Sequence, residues 1–325
     1  MERNRRGKKT MEEYGMIQVT IPLPYWNDNV HCYLAKREGK WVIVDTGLKW
    51  EATRKTWEEV FAKHGIDPTK DIESIVLTHQ HGDHFGFSGL LQEWTGAPVH
   101  LNEIDRELSL YGWTPETFQA YYLSAGLPQE SVLQLQENAA AFVRPASPYP
   151  ADLQPLNAGD RFQLGELAFE AIHLPGHTPG HICFYNEQKK LLISGDHLTR
   201  ETMPYISYHG YGDSNPLQTY LATLSKMQAM EIAAVLPGHG PIFYDAQERI
   251  AEVIDYYRSR LDAVRELAAG GRTAYEISLA IFPADRSLFQ QWIDLGETNA
   301  CLQYLLTSGD LQVREEGSQK KYYRN

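Results

Sequence analysis

The chain is poor in cysteine and has no long hydrophobic run. Its three cysteines, Cys32, Cys183 and Cys301, lie far apart, with neither a paired framework nor C-x-x-C spacing. That pattern argues against a disulfide-stapled secreted module and points to reduced thiols of a cytoplasmic protein. The longest apolar stretches are strand-sized, such as Ile75-Val76-Leu77 and Leu191-Leu192-Ile193. Nothing approaches the ~18 residues that a membrane-crossing helix needs. The basic opening from Met1 to Lys9 has no apolar segment behind it, so it does not read as a secretory signal; residues 1–14 are expected to fray, and Met11 offers a second start. Positive charge is scarce as well: 30 Lys and Arg against 42 Asp and Glu leave a net charge of −12. This disfavours a nucleic-acid partner, because neutralising phosphates needs a basic surface. The Gly-x-Ser-x-Gly elbow, the Gly-x-x-x-x-Gly-Lys loop and a dinucleotide fingerprint are absent, and serine-nucleophile, phosphate-loop and nicotinamide chemistries lose support with them.

What is present suits an ordered globular protein. Hydrophobic residues make up 42% and charged residues 22% of 325 residues, enough for one large domain with an appendage. Segments 17–34 and 41–44, parted by Lys36-Arg37-Glu38-Gly39, read as an antiparallel opening, and a helix over 50–63 stops at Gly65. A buried strand over 72–77 runs directly into Thr78-His79-Gln80-His81-Gly82-Asp83-His84. Residues 103–145 read as a helical, lid-like insert in which Tyr111, Trp113, Phe118, Tyr121 and Tyr122 cluster as a candidate pocket wall. Strands are expected again at 161–164, 167–173, 181–185, 191–194 and 233–236, with a helix over 216–230. Two β-rich halves, each finished by helices, describe an α/β protein of the αβ/βα sandwich type. From about 245 the pattern becomes helix, helix, hairpin, with helices over 273–282 and 297–307, which outlines a winged helix. The expected organisation is thus a main domain over 15–250, with its insert at about 103–150, and a small α+β domain over 251–325.

The strongest local signal is His79-x-His81-x-Asp83-His84. Imidazole is the usual ligand of zinc and related ions, and carboxylate oxygen completes such sites. On an extended loop alternate positions project to one side, so His79 and His81 can share one cation while Asp83 and His84 reach a neighbour. One loop cannot fill two coordination spheres. Three further candidates follow predicted strands and are flanked by glycine: His177 in Gly176-His177-Thr178-Pro179-Gly180, Asp196 in Ser194-Gly195-Asp196-His197, and His239 in Pro237-Gly238-His239-Gly240. Glycine lets backbone approach a crowded centre. His181 and His197 adjoin these positions and are candidates to support the ligands or to move protons; His31, His64, His100, His173 and His209 read as structural.

This ordered set resembles the metallo-β-lactamase superfamily over roughly residues 15–250. The resemblance implies a four-layer αβ/βα sandwich with His79, His81 and His177 on one metal, Asp83, His84 and His239 on a second, Asp196 bridging, and Asp45 of Val44-Asp45-Thr46-Gly47 supporting the histidine loop. Among subgroups the chain is similar to glyoxalase II-like hydrolases, and its tail resembles the winged-helix-like C-terminal domain that some members carry. The expected cofactors are two divalent ions, zinc first, with manganese or iron open.

Two such ions lower the pKa of a shared water and polarise the bond under attack. The expectation is a hydrolase in which a metal-bridging hydroxide, oriented by Asp83, cleaves a small ester, thioester or lactone, with Asp83 and Asp196 as the catalytic residues. Two alternatives accompany it. One is phosphodiester or RNA cleavage, suggested by Lys320-Lys321-Tyr322-Tyr323-Arg324. The other is a ligand sensor that binds nucleic acid or a partner through the tail, although 297–306 holds no Arg or Lys. A homodimer through the tail is left open.

Overall fold

Period-two alternation sorts the strand side chains onto two faces, and three apolar layers follow from it. The computed structural model describes residues 11–24, 28–110, 114–143 and 146–325. The expected frayed start lies outside these except for its last residues, where Glu12–Tyr14 form one 3-10 turn. Tyr111 and Trp113 of the aromatic cluster also lie outside the described residues.

The chain opens with the antiparallel strands β1 (Met16–Pro22), β2 (Asn29–Arg37) and β3 (Lys40–Val44). After helices α1 (Glu51–His64) and α2 (Pro68–Asp71), strand β4 (Ile72–Val76) pairs in parallel with β3. Gly65 ends α1 in the left-handed region at φ 63°, as its position after the last apolar turn predicts. Short helices α3 (Gly82–Phe85) and α4 (Ser88–Thr95) lead to β5 (Val99–Leu101), parallel to β4. The insert is three helices, α5 (Glu103–Leu110), α6 (Pro115–Ser124) and α7 (Gln129–Val143). Strand β6 (Leu153–Pro155) then closes a sheet of order β1-β2-β3-β4-β5-β6. The sequence pattern has no signal for β6. Its three residues end in a proline, which suits a sheet edge because no further strand needs the missing N–H.

The second sheet has the order β11-β10-β9-β8-β7, built from β7 (Arg161–Leu164), β8 (Leu167–His173), β9 (Ile182–Asn186), β10 (Leu191–Gly195) and β11 (Ala234–Pro237), with helix α8 (Pro216–Met227) joining the parallel pair β10 and β11. Tyr33, Val42, Val44 and Val76 of the first sheet meet Phe169, Ile182, Phe184 and Ile193 of the second in the central layer. The alternate positions Cys32, Leu34, Trp41, Ile43 and Ile75 face α1 and α4, where Trp57, Phe61 and Leu91 cover them. Cys183, Leu192 and Val235 face the opposite way, toward α8 and the C-terminal helices. Sheets buried on both faces lie between outer helices, which makes the four-layer αβ/βα sandwich.

The C-terminal unit comprises α9 (Ala246–Leu267), β12 (Arg272–Thr273), α10 (Ala274–Ile281), α11 (Leu288–Thr307), β13 (Leu311–Glu316) and β14 (Gln319–Arg324), the three strands ordered β12-β14-β13. The boundary expected between 250 and 251 falls inside α9. One apolar cluster runs from Tyr220 and Leu224 of α8 through Val253 and Tyr257 of α9 to Leu295, Leu302 and Leu305 of α11. Helix α11 begins at Leu288, ahead of the expected 297, on a capping box of Ser287 and Gln290. Gly296 sits inside this helix, where a Cβ would press on the Tyr205 hydroxyl and the His209 ring. No helix among the described residues is long and apolar enough to cross a membrane.

Candidate metal centre

Four strand ends open onto one edge of the sandwich, and each delivers candidate ligands. His79, His81, Asp83 and His84 follow β4, His177 follows β8, Asp196 follows β10 and His239 follows β11. Donor atoms of His79, His81, His177 and Asp196 lie within 4.8 Å of one another, and so do those of Asp83, His84, Asp196 and His239. The structure therefore brings together every residue singled out as a ligand, in two groups sharing Asp196.

Hydrogen bonds set the tautomers. The Thr78 hydroxyl donates to Asp45 Oδ2 at 2.8 Å, so His79 Nδ1–H donates to Thr78 Oγ1 at 2.9 Å and leaves Nε2 as a lone pair. His84 Nδ1–H donates to Asp45 Oδ2 at 2.9 Å, His177 Nδ1–H to the Tyr205 carbonyl at 2.7 Å and His239 Nδ1–H to the Asn29 carbonyl at 2.8 Å. Four imidazoles are thus anchored outward by one nitrogen, with the other aimed inward. His81 turns its Nδ1 to the same centre, 2.8 Å from His177 Nε2. The Nε2 atoms of His79 and His177, both left as lone pairs, face each other and repel unless a cation lies among them. Four donors about 2.1 Å from one ion in a tetrahedron sit roughly 3.4 Å apart. The observed separations are 3.3 Å for His177 Nε2 to His79 Nε2, 3.5 Å for His177 Nε2 to Asp196 Oδ2 and 3.9 Å for His79 Nε2 to Asp196 Oδ2. In the second group His84 Nε2 lies 3.1 Å from Asp196 Oδ1, and His239 Nε2 lies 3.1 Å from Asp83 Oδ2. His84 Nε2 and Asp196 Oδ1 are buried and face only other members of the donor set. The donor set fits two divalent ions.

The electrostatics divide the two groups. Burial and the neighbouring His84, His81 and His177 hold His79 well below the usual imidazole range, and burial with His177 takes His81 down to about 3. Burial opposes charge on His84 too, but Asp196, Asp45 and Asp83 outweigh it and hold it well above that range; His239 is raised by Asp196 and Asp28 in the same way. Asp83 is lowered to about 2, burial being overcome by His84 and His239. Protons on His84 and His239 thus balance the carboxylates in the ion-free protein, and a cation would displace them.

Asp45 is bonded to the loop that carries His79 and His84. Its Oδ1 accepts the Thr78 N–H at 2.8 Å, and its Oδ2 accepts the Thr78 hydroxyl and His84 Nδ1–H. Gly238 shows why glycine flanks the candidate ligands: a Cβ there would lie 2.5 Å from Asp196 Oδ1 and 2.6 Å from His84 Cε1. His181 and His197 are fully buried and belong to neither donor group. His181 stacks behind His79, ring centroids 5.0 Å apart.

Two contributors carry no mark in the sequence. Asp105 of α5, which reads as an ordinary helical acid, is fully buried and accepts hydrogen bonds from Gln80 N–H at 3.1 Å, Thr178 Oγ1 at 2.7 Å and Gly180 N–H at 2.7 Å. It ties the insert to both the His81 and the His177 loops. Burial pushes its carboxyl up to about 6 against those three donors. Asp105→Ala leaves the buried Gly180 N–H and Thr178 hydroxyl and the half-buried Gln80 N–H unpaired and is expected to destabilise the protein by about 2–4 kcal/mol. Denaturant unfolding checks this, and a change below about 0.5 kcal/mol would refute the role. The second is His209, read as structural, which lines the cleft beside His81 and His177 with Gln80, Tyr211 and Asp213.

An αβ/βα sandwich with two His/Asp donor groups at its strand ends defines the metallohydrolase class of fold. The Metallo-beta-lactamase superfamily pattern matches residues 25–239, and the chain belongs to that superfamily. It is 26% identical over 287 residues to a probable metallo-hydrolase, YqjP, of Bacillus subtilis (strain 168), covering 84% of this chain and 88% of that protein. It is 24% identical to the atrochrysone carboxyl ACP thioesterase dmxR1 of Cryptosporiopsis sp. (strain 8999), covering 67% of this chain and 51% of that longer one. Among solved structures, the metallo-beta-lactamase family protein TTHA1429 of Thermus thermophilus superposes with a TM-score of 0.81 at 29% identity, covering 96% of this chain and 99% of that one. A beta-lactamase domain protein of Burkholderia ambifaria gives 0.84 at 25% identity, over 96% and 92%. Both cover the C-terminal unit as well as the sandwich.

Proposed function

We propose that the chain is a dinuclear metal hydrolase, with zinc the expected ion, acting on a small ester, thioester or lactone. The observation that carries this reading is the convergence of inward-facing imidazole nitrogens on Asp83 and Asp196. His79, His81 and His177 would hold one ion, Asp83, His84 and His239 the other, with Asp196 between them. When bound, such a pair supplies a water activated at neutral pH and a polarised carbonyl. The chain does the rest. Asp83, 19% exposed beside the buried His84, is placed to accept a hydrogen bond from an attacking water and so orient it. The cleft bounded by Gln80, Thr178, His209 and Tyr211 positions the substrate.

The thioesterase among the similar proteins supports an acyl substrate. The phosphodiester alternative gains nothing from the structure, since Lys321 pairs with Glu316 at 2.9 Å and Arg324 with Glu266 at 3.1 Å. The sensor alternative is weakened by α11, whose residues 294–302 are buried. We read the C-terminal helices and three-stranded sheet as winged-helix-like, with the helix that would enter a groove used for packing instead. The three cysteines are free and buried, in keeping with a reducing compartment. The test is elemental analysis of the purified protein with a screen of thioesters, lactones and phosphodiesters. About two ions per chain and turnover of a thioester or lactone are expected, while cleavage of phosphodiesters alone would overturn the substrate class.

A further inference from the structure

His177 donates Nδ1–H to the Tyr205 carbonyl, so the position of the Tyr205 backbone sets where its Nε2 lone pair points. That backbone is held from the far C-terminal helix. Tyr205 Oη donates to the Ile293 carbonyl of α11 at 3.1 Å. With its proton committed there, Oη accepts from His209 Nε2–H at 3.0 Å, which leaves His209 Nδ1 as an acceptor. Tyr122 Oη of α6 fills that position at 2.7 Å, and Trp292 Nε1–H donates to Tyr122 Oη at 2.6 Å. Each bond in the series Trp292, Tyr122, His209, Tyr205, Ile293 has one direction, and each donor has its acceptor.

Packing tightens the same loop. The His209 ring stacks on Trp292 with centroids 4.6 Å apart and planes 21° from parallel, and Tyr208 N–H donates to the Gly296 carbonyl at 3.0 Å. A Cβ on Gly296 would lie 2.5 Å from His209 Cε1 and would press on the Tyr205 hydroxyl. This accounts for a glycine inside a helix, where it costs about 1 kcal/mol relative to alanine. Burial holds His209 down to about 4, so the ring stays neutral and keeps its one donor and one acceptor.

We propose that α11 positions the three-histidine metal site, with Trp292 and Gly296 acting through Tyr122, His209 and Tyr205 to aim His177. This rests on His177 being a ligand, as proposed for the metal centre. Donors outside the ligand set commonly change metal affinity tenfold to a hundredfold when lost. The test is cobalt(II) titration of the metal-free, full-length protein, following the absorption of each site, together with thermal unfolding of the metal-free form. Trp292→Phe keeps an aromatic ring beside His209 but removes the N–H together with part of the indole, and Gly296→Ala drives a methyl group into the loop. We expect Gly296→Ala to weaken the three-histidine site by about tenfold or more and Trp292→Phe by a smaller factor. The site of Asp83, His84 and His239, which none of these bonds reaches, should bind as in the parent protein. Should Gly296→Ala fold poorly, Tyr205→Phe breaks the same series without adding volume. Parental affinity at both sites, or equal loss at both, overturns the proposal. A parent protein that binds no cobalt sinks the ligand reading itself, a result the variants cannot mimic.

Discussion

Replacing Asp196 with Asn is expected to reduce hydrolysis of a responsive thioester or lactone by at least about a thousandfold, on the order of 4 kcal/mol of transition-state stabilisation. Asp196 is the one side chain common to both donor groups, with Oδ1 3.1 Å from His84 Nε2 and Oδ2 3.5 Å from both His177 Nε2 and His239 Nε2. Asparagine keeps the shape and removes the negative charge that lets two cations approach each other. Its amide nitrogen would also turn protons toward an ion. Elemental analysis should show the retained metal falling from about two ions toward one per chain. The fold should persist, because Asp196 supports no backbone group among the described hydrogen bonds. A folded variant with parental turnover and two ions would remove the basis of the enzyme assignment.

Asp45→Ala should act in the opposite manner, through stability first and metal second. The carboxylate accepts three bonds at full burial, from Thr78 N–H, the Thr78 hydroxyl and His84 Nδ1–H. Orphaning these donors costs about 1–3 kcal/mol each, and alanine at φ 59° adds roughly 1 kcal/mol more. The total, on the order of 5 kcal/mol, is a large part of the roughly 5–15 kcal/mol that keeps a domain folded. A fall in melting temperature of about 10 °C or more is expected. His84 would also lose the partner that fixes its tautomer, so the second ion should bind more weakly. Asp45→Asn is intermediate, since its carbonyl oxygen still accepts but its amide faces donors. Melting within a degree or two of the parent protein would show that Asp45 does not hold this loop.

The candidate ligands were readable because metal chemistry admits few side chains. His79, His81, Asp83 and His84 stand within six residues, and His177, Asp196 and His239 each follow an apolar strand and a glycine. Strand periodicity likewise placed most of the two sheets to within a residue or two, with Trp41 and Ile43 on one face and Val42 and Val44 on the other. These features are local, repeating every two residues or lying side by side on one loop.

What anchors the candidate ligands is of another kind. Asp105 meets Thr178 across 73 positions, His177 depends on a carbonyl 28 residues away, and Trp292 reaches Tyr122 across 170. No spacing or periodicity marks such pairs. Helix α11 begins nine residues ahead of the expected 297, and Gly296 inside it is held by the close approach of Tyr205 and His209, which no local pattern shows. Composition and motif could name the donors and the sandwich that carries them, because both follow from neighbours along the chain. Which nitrogen of each imidazole faces inward, and which distant helix holds it there, depends on directional bonds that exist only after the chain has packed.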